Sequence, residues 1–148
     1  KAEETPLGDR VRLTYDEGKL LPHWLASYLF QNAMLRTHAD EGIIFEGTGR
    51  ALHEAELFHE VATWLGRQYV VINLDISDEE AVRRMTGRGR EDSNTEEKVR
   101  MRLDQYEKAT AAAINFFDTQ GALIHISGER DVDAIHADIV ERLGFTTH

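Results

Sequence analysis

Tyr69-Val70-Val71-Ile72-Asn73-Leu74-Asp75-Ile76, followed at once by Ser77-Asp78-Glu79-Glu80, is the stretch that decides the fold. Its β-branched and aromatic residues form a nearly continuous apolar run, the pattern of a strand covered on both faces. A hydroxyl with a carboxylate three residues on is a capping-box signature, so a helix is expected to start at Ser77. Downstream, a basic, glycine-broken segment from Arg83 to Arg90 leads into a polar loop. A long helix from about Thr95 then carries Val99, Leu103, Tyr106, Thr110, Ala113, Ile114 and Phe117 on one side and ends at Gly121. Ala122 to Ile126 reads as another buried strand, and Asp131 caps a last helix with Val132, Ile135, Ile139 and Leu143 inward. Upstream, Leu52, Ala55, Phe58, Val61, Ala62 and Leu65 have helical spacing before Gly66, and Ile43-Ile44-Phe45 predicts a short buried strand. Earlier still, Pro22 opens a helix with Leu25, Tyr28, Leu29, Asn32 and Ala33 on its apolar face. Pro6 opens a shorter one that Gly18 stops. Strands alternating with helices predict an α/β fold, a parallel sheet with helices on both faces and a ligand crevice beyond the strand C-terminal ends.

Of 148 residues, 17 are Lys or Arg and 27 Asp or Glu, giving a formal net charge of −10. So acidic a chain is repelled by nucleic acid and anionic membrane surfaces, and neither is expected as a partner. The absence of cysteine excludes disulfides, thiolate metal sites and a Cys nucleophile, which makes the cytoplasm the default expectation. No apolar run approaches the roughly 18 residues of a membrane span. There is no internal repeat or low-complexity tract.

Against that acidic background, Arg83, Arg84, Arg88, Arg90, Lys98, Arg100 and Arg102 gather seven of the 17 basic residues into one short region. Guanidinium groups around a flexible loop suit polyphosphate, since they offer fixed forks of donors and never lose their charge. The same residues also read as solvated helix faces, with Glu96 and Arg100 a helical ion pair. Arg50 follows a strand end and a two-glycine turn, Glu46-Gly47-Thr48-Gly49. It reads either as a phosphate clamp or as an ordinary residue near a helix start. Glu46 is either a functional carboxylate or a turn residue. His53 and His59 lack the i, i+4 spacing of a zinc helix, and no metal-ligating set is expected. Trp24, Tyr28, Phe116 and Phe117 read as core.

Four segments resemble, in order, the adenylate kinase and nucleoside monophosphate kinase family. Thr5-Pro6-Leu7-Gly8 with Asp16-Glu17-Gly18-Lys19-Leu20-Leu21-Pro22 is similar to the family's monophosphate-binding arm. Phe45-Glu46-Gly47-Thr48-Gly49-Arg50 resembles its Leu-Asp-Gly-Phe-Pro-Arg motif. Arg84, Gly87, Arg88, Arg90, Asp92, Glu96, Glu97, Val99, Arg100, Arg102 and Leu103 resemble its short-lid form. Ile126-Ser127-Gly128 and the capped last helix are similar to the loop that packs on the ATP adenine. The resemblance implies a P-loop nucleotide kinase fold over 1–148, with 1–21 the remainder of the arm and 87–95 a short lid. It implies reversible phosphoryl transfer from ATP to a nucleoside monophosphate, AMP first, by a monomer. Arg50 would clamp the monophosphate, while Arg88, Arg90 and Arg102 close on the transferring phosphates. Leu21 and Gly47 would line the monophosphate site and Arg84 would lie against adenine, with Gly128 and Arg130 meeting it through backbone groups. Mg2+ would arrive with the nucleotide, held by few or no protein ligands.

Three departures from the family pattern carry expectations of their own. The G-x-x-G-x-G-K phosphate loop, with its leading strand and helix, is absent from these residues, so the polypeptide alone is expected not to catalyse. Roughly forty further N-terminal residues would hold that strand, loop and helix. Thr48-Gly49 replaces Phe-Pro and Glu46 replaces Asp, which keeps open an inactive nucleotide-binding protein on the same fold. Glu54 stands where the family places a base-reading Gln. An ionised carboxylate only accepts, so it would suit guanine N1–H and N2–H and leaves a GMP-preferring kinase as the other alternative.

Overall fold

The computed structural model describes residues 5–16, 22–87 and 96–145, which fall into two compact units, 1–48 and 49–148. In the first, α1 (Pro6–Asp16) starts as the sequence predicts: the Thr5 hydroxyl accepts from Gly8 N at 3.1 Å, and Pro6 takes the first helical position. Gly18, expected to stop this helix, lies outside the described residues.

In α2 (His23–Arg36) the buried face is Leu25, Ser27, Phe30 and Met34, rotated from the expected one, so that Tyr28 and Leu29 are exposed. On that face Phe30 meets Phe45 edge-on, with ring centroids 6.4 Å apart, a contact outside the helix that its own periodicity does not contain. The strand expected at Ile43-Ile44-Phe45 is a correction. The segment has no regular structure, and Ile44 is 98% exposed. An apolar run becomes a strand only where another backbone completes its ladder, and among the described residues only β1 and β2 do so.

The second unit holds α3 (Leu52–Trp64), β1 (Val71–Asp75), α4 (Asp78–Gly87), α5 (Glu96–Thr119), β2 (Leu123–Ser127) and α6 (Val132–Arg142). The two strands are parallel, in a register running from Val71 opposite Leu123 to Asp75 opposite Ser127. Parallel neighbours need a crossover, which α4 and α5 supply. The expected α/β class with a parallel sheet is therefore observed.

Ala55, Ala113 and Phe117 form the buried centre, with Phe58, Tyr69, Val71, Phe116 and Leu123 packed around them. Phe58, Tyr69 and Phe116 all meet Phe117 edge-on, at centroid distances of 6.4, 6.1 and 5.6 Å. His59 Nδ1 lies 2.7 Å from the Tyr69 hydroxyl, and burial pushes the Tyr69 phenol up from its ordinary value. Small residues on α3 let that helix lie close to α5, with Ala55 and Ala62 fully buried.

As expected from their spacing, α3 and α5 stop at Gly66 and Gly121, whose φ angles of +66° and +65° are open to glycine at little cost. Expected core positions are corrected at Trp24 on α2 and Tyr106 on α5, 64% and 49% exposed, and at two helix starts. Leu52 and Val132 each open a helix and project past the covered face, Val132 being 80% exposed. Asp131 caps α6 by accepting from Ala134 N at 2.9 Å. Among the described residues no helix is long and apolar enough to cross a membrane.

Candidate functional site

Beyond the C-terminal end of β1 lies a cavity of about 500 Å3. Asn73, Leu74 and Asp75 reach it from the strand, Asp78, Ala81, Arg84 and Met85 from α4, and Leu103, Tyr106, Glu107 and Ile114 from α5. Arg50 completes its lining from the turn before α3. That turn is seated by Gly49, whose φ is +73° and where a Cβ would stand 3.3 Å from Phe117 Cζ. The lining thus holds two arginines, three carboxylate residues and several apolar ones. Asp75 is oriented by Asn73 Nδ2 at 2.5 Å and by His125 Nδ1 at 2.8 Å across the sheet.

The loop after β2 is tied to the turn after β1 in three ways. Gly128 N donates to Asp75 O at 2.8 Å, extending the ladder one step past the strand. Ser77 N donates to Glu129 Oε1 at 2.9 Å. Arg84 donates to Gly128 O at 2.8 Å. Close approach makes Gly128 a steric requirement, because a Cβ there would lie 2.9 Å from Ile76 Cγ2 and 3.3 Å from Leu74 Cβ. Hydrogen bonds from Ser77 hold the Glu129 carboxyl below the usual carboxylate range.

Glu80 sits at the centre of the charged network. Its Oε1 accepts from Arg84 Nε at 2.6 Å, and Arg83 grips both its oxygens at 2.6 and 2.5 Å. Hydrogen bonds from Arg83, then from Arg84, hold its carboxyl down at about 2. The expected cap at Ser77 is present only in part. Ser77 Oγ accepts from Glu80 N at a long 3.4 Å, while the Glu80 carboxylate serves the arginines and Glu129 takes the Ser77 N–H.

Sequence-predicted residues fall into three groups. The structure brings Arg50 and Arg84 to one cavity and Arg84 to Gly128. Glu54 is buried at the third position of α3, where its Oε2 accepts from Arg50 N and Ala51 N at 3.1 and 3.4 Å, a helix-start role that its spacing to Ala51 could have shown. The Arg130 side chain pairs with Asp138 on α6 and is not among the residues lining the cavity. Gly47 belongs to the first unit, with φ at +78°. Leu21, Arg88 and Arg90, with most of the expected lid, lie outside the described residues. Arg102 is placed only as a position on α5. Sequence reading missed Glu80 as a partner of Arg83 and Arg84, although the i, i+3 and i, i+4 spacings were legible. It missed Glu129 entirely, since nothing local links positions 52 residues apart.

A parallel β-α-β unit with arginines lining a crevice beyond the strand ends is an arrangement of α/β proteins that hold phosphate-bearing ligands. The family described as Adenylate kinase matches residues 1–122. Adenylate kinase 1 of Nostoc sp. is 32% identical over 143 residues, 96% of this chain and 77% of that protein. The adenylate kinase of Thermus thermophilus is 34% identical over 148 residues, covering 97% and 76% respectively. That of Corynebacterium glutamicum is 32% identical over 143 residues, 96% of this chain and 77% of the relative. The chain belongs to the adenylate kinase family.

Proposed function

We propose that this chain carries the phosphoryl-transfer site of a nucleoside monophosphate kinase, moving phosphate reversibly between ATP and AMP. The observation that carries the reading is the convergence of Arg50 and Arg84 on one cavity past β1, in a member of this family. Phosphoryl transfer asks little covalent chemistry of a protein, so positioning and neutralisation of the moving charge supply most of the rate.

In this reading 1–148 is one nucleotide kinase domain, with 1–21 part of the monophosphate arm and 87–95 the lid. Arg50 clamps the acceptor phosphate, and Leu21 and Gly47 line its site. Arg84 lies against the donor base, which the backbone of Gly128 and Arg130 also meets. Arg88, Arg90 and Arg102 close over the phosphates and exclude water. Mg2+ would arrive with the nucleotide, held by few or no protein ligands, in a cavity whose lining includes the carboxylates of Asp75, Asp78 and Glu107. When bound, that ion offsets phosphate charge.

Glu54 Oε2 accepts from two backbone N–H groups at the start of α3, and AMP is placed ahead of GMP as acceptor because the rest of the arm resembles the family's. Turnover also requires a glycine-rich phosphate loop, and the 148 residues contain no G-x-x-G-x-G-K segment. Initial rates of the full-length protein with ATP and each of AMP, GMP, CMP and UMP test the proposal. AMP is expected to be fastest, and the 148-residue polypeptide alone to be inactive. A strong GMP preference reverses the acceptor assignment, turnover by the short polypeptide refutes the loop requirement, and nucleotide binding without turnover favours a non-catalytic binding protein.

A further inference from the structure

Arg84 is gripped at two points along one edge of its guanidinium: Nε on Glu80 Oε1 at 2.6 Å and a terminal nitrogen on Gly128 O at 2.8 Å. A guanidinium is planar and rigid, so two anchors on one edge fix its plane as well as its position. The fixed group lines the cavity beyond β1. Glu80 is itself well placed for the task. Its side chain is only 14% exposed, and Arg83 holds it in a forked, two-bond pairing from the outer side, where the Arg83 side chain is 73% exposed. The series runs Arg83 to Glu80 to Arg84 to Gly128, from the surface of α4 to the loop after β2.

We propose that Glu80 is a positioning residue for the donor nucleotide. It sets the plane of the Arg84 guanidinium against the purine ring and, through Arg84, the seat of the Gly128 carbonyl. This rests on the reading that places Arg84 against the ATP base. Without the Glu80 anchor, Arg84 keeps its charge but loses its fixed plane, and stacking on a flat ring depends on that plane whereas attraction to phosphate does not. The defect should therefore appear in donor binding and spare the acceptor.

The test uses the full-length protein with Glu80→Ala, Arg84→Ala, the double variant and Arg84→Lys; alanine leaves no oxygen to accept from Arg84 Nε. Glu80→Ala is expected to raise the KM for ATP, and its calorimetric Kd, roughly 3- to 30-fold. The KM for the monophosphate and kcat should stay within about twofold. In the Arg84→Ala background Glu80→Ala is expected to add nothing, because its effect passes through Arg84. Arg84→Lys keeps the charge without a plane to fix, so it should reproduce the donor defect and serves if Glu80→Ala does not fold. Unchanged ATP binding in Glu80→Ala, an equal rise in both KM values, or additivity with Arg84→Ala overturns the proposal. If the wild type binds ATP without turnover, the kinase reading fails while the ATP Kd values still decide the role of Glu80. If it does not bind ATP, both fail.

Discussion

Replacing Gly128 by alanine tests how tightly the loop after β2 is seated. The new Cβ would stand 2.9 Å from Ile76 Cγ2, 3.3 Å from Leu74 Cβ and 3.4 Å from Asp75 O. Ordinary contact begins near 3.4 Å, so the loop or Ile76 has to move by about 0.5 Å. Ile76 is β-branched and cannot simply swing its methyl aside. The loop has little slack either, because Gly128 N and O are bonded to Asp75 O and Arg84, both at 2.8 Å. Overpacking of this kind costs about 1–3 kcal/mol. For a chain of this size that lowers Tm by about 2–12 °C. Calorimetric unfolding of the full-length protein measures the shift, and a rise in the KM for ATP should accompany it as the Arg84 anchor moves. Gly87→Ala is the matched control. At the end of α4 nothing lies within 4 Å of its added Cβ, so the same substitution should be neutral or stabilise by up to about 1 kcal/mol. An unchanged Tm and KM in Gly128→Ala would refute the claim that close packing seats the loop.

Phe117→Ala removes the ring on which Phe58, Tyr69 and Phe116 converge and should cost about 3–5 kcal/mol in urea unfolding, whereas a loss under about 1 kcal/mol would show that the aromatic cluster carries little of the stability. Glu54→Ala strips the start of α3 of its acceptor and is expected to lower stability by about 0.5–2 kcal/mol in thermal melts, while Glu54→Gln, which keeps an acceptor oxygen, should lose less. The Glu80 carboxyl is held down at about 2 against an ordinary 4.5, so its contribution is complete above 4.5 and disappears as pH falls through about 2. The Tm advantage of wild type over Glu80→Gln should therefore be constant above about pH 5 and shrink between 4.5 and 2, and an advantage that vanishes on going from pH 5 to 8 would contradict this assignment.

Much of the fold was legible because its signals act over a few residues. The strand at Val71–Asp75 follows from an apolar run that meets a helix start. The stops at Gly66 and Gly121 follow from left-handed termini, and the cap at Asp131 from a carboxylate within reach of Ala134 N. Spacing also made Arg84 an i, i+4 neighbour of Glu80, and Arg50 was singled out by the glycines before it. The four ordered segments carried the family.

What the sequence could not supply was decided by contacts between distant positions. Ile43-Ile44-Phe45 has a strand's composition but no ladder in the described structure, since composition sets a preference for burial and not a partner. The covered face of α2 includes Phe30, which meets Phe45 in a contact that the helix's own periodicity does not contain. Gly128 is pinned because Leu74 and Ile76 approach it, and Ser77 is capped by Glu129 from 52 residues away. Local propensities act along the chain within about a turn of helix, whereas ladders, packing faces and charge networks exist only once folding has brought separate segments within hydrogen-bond or van der Waals reach.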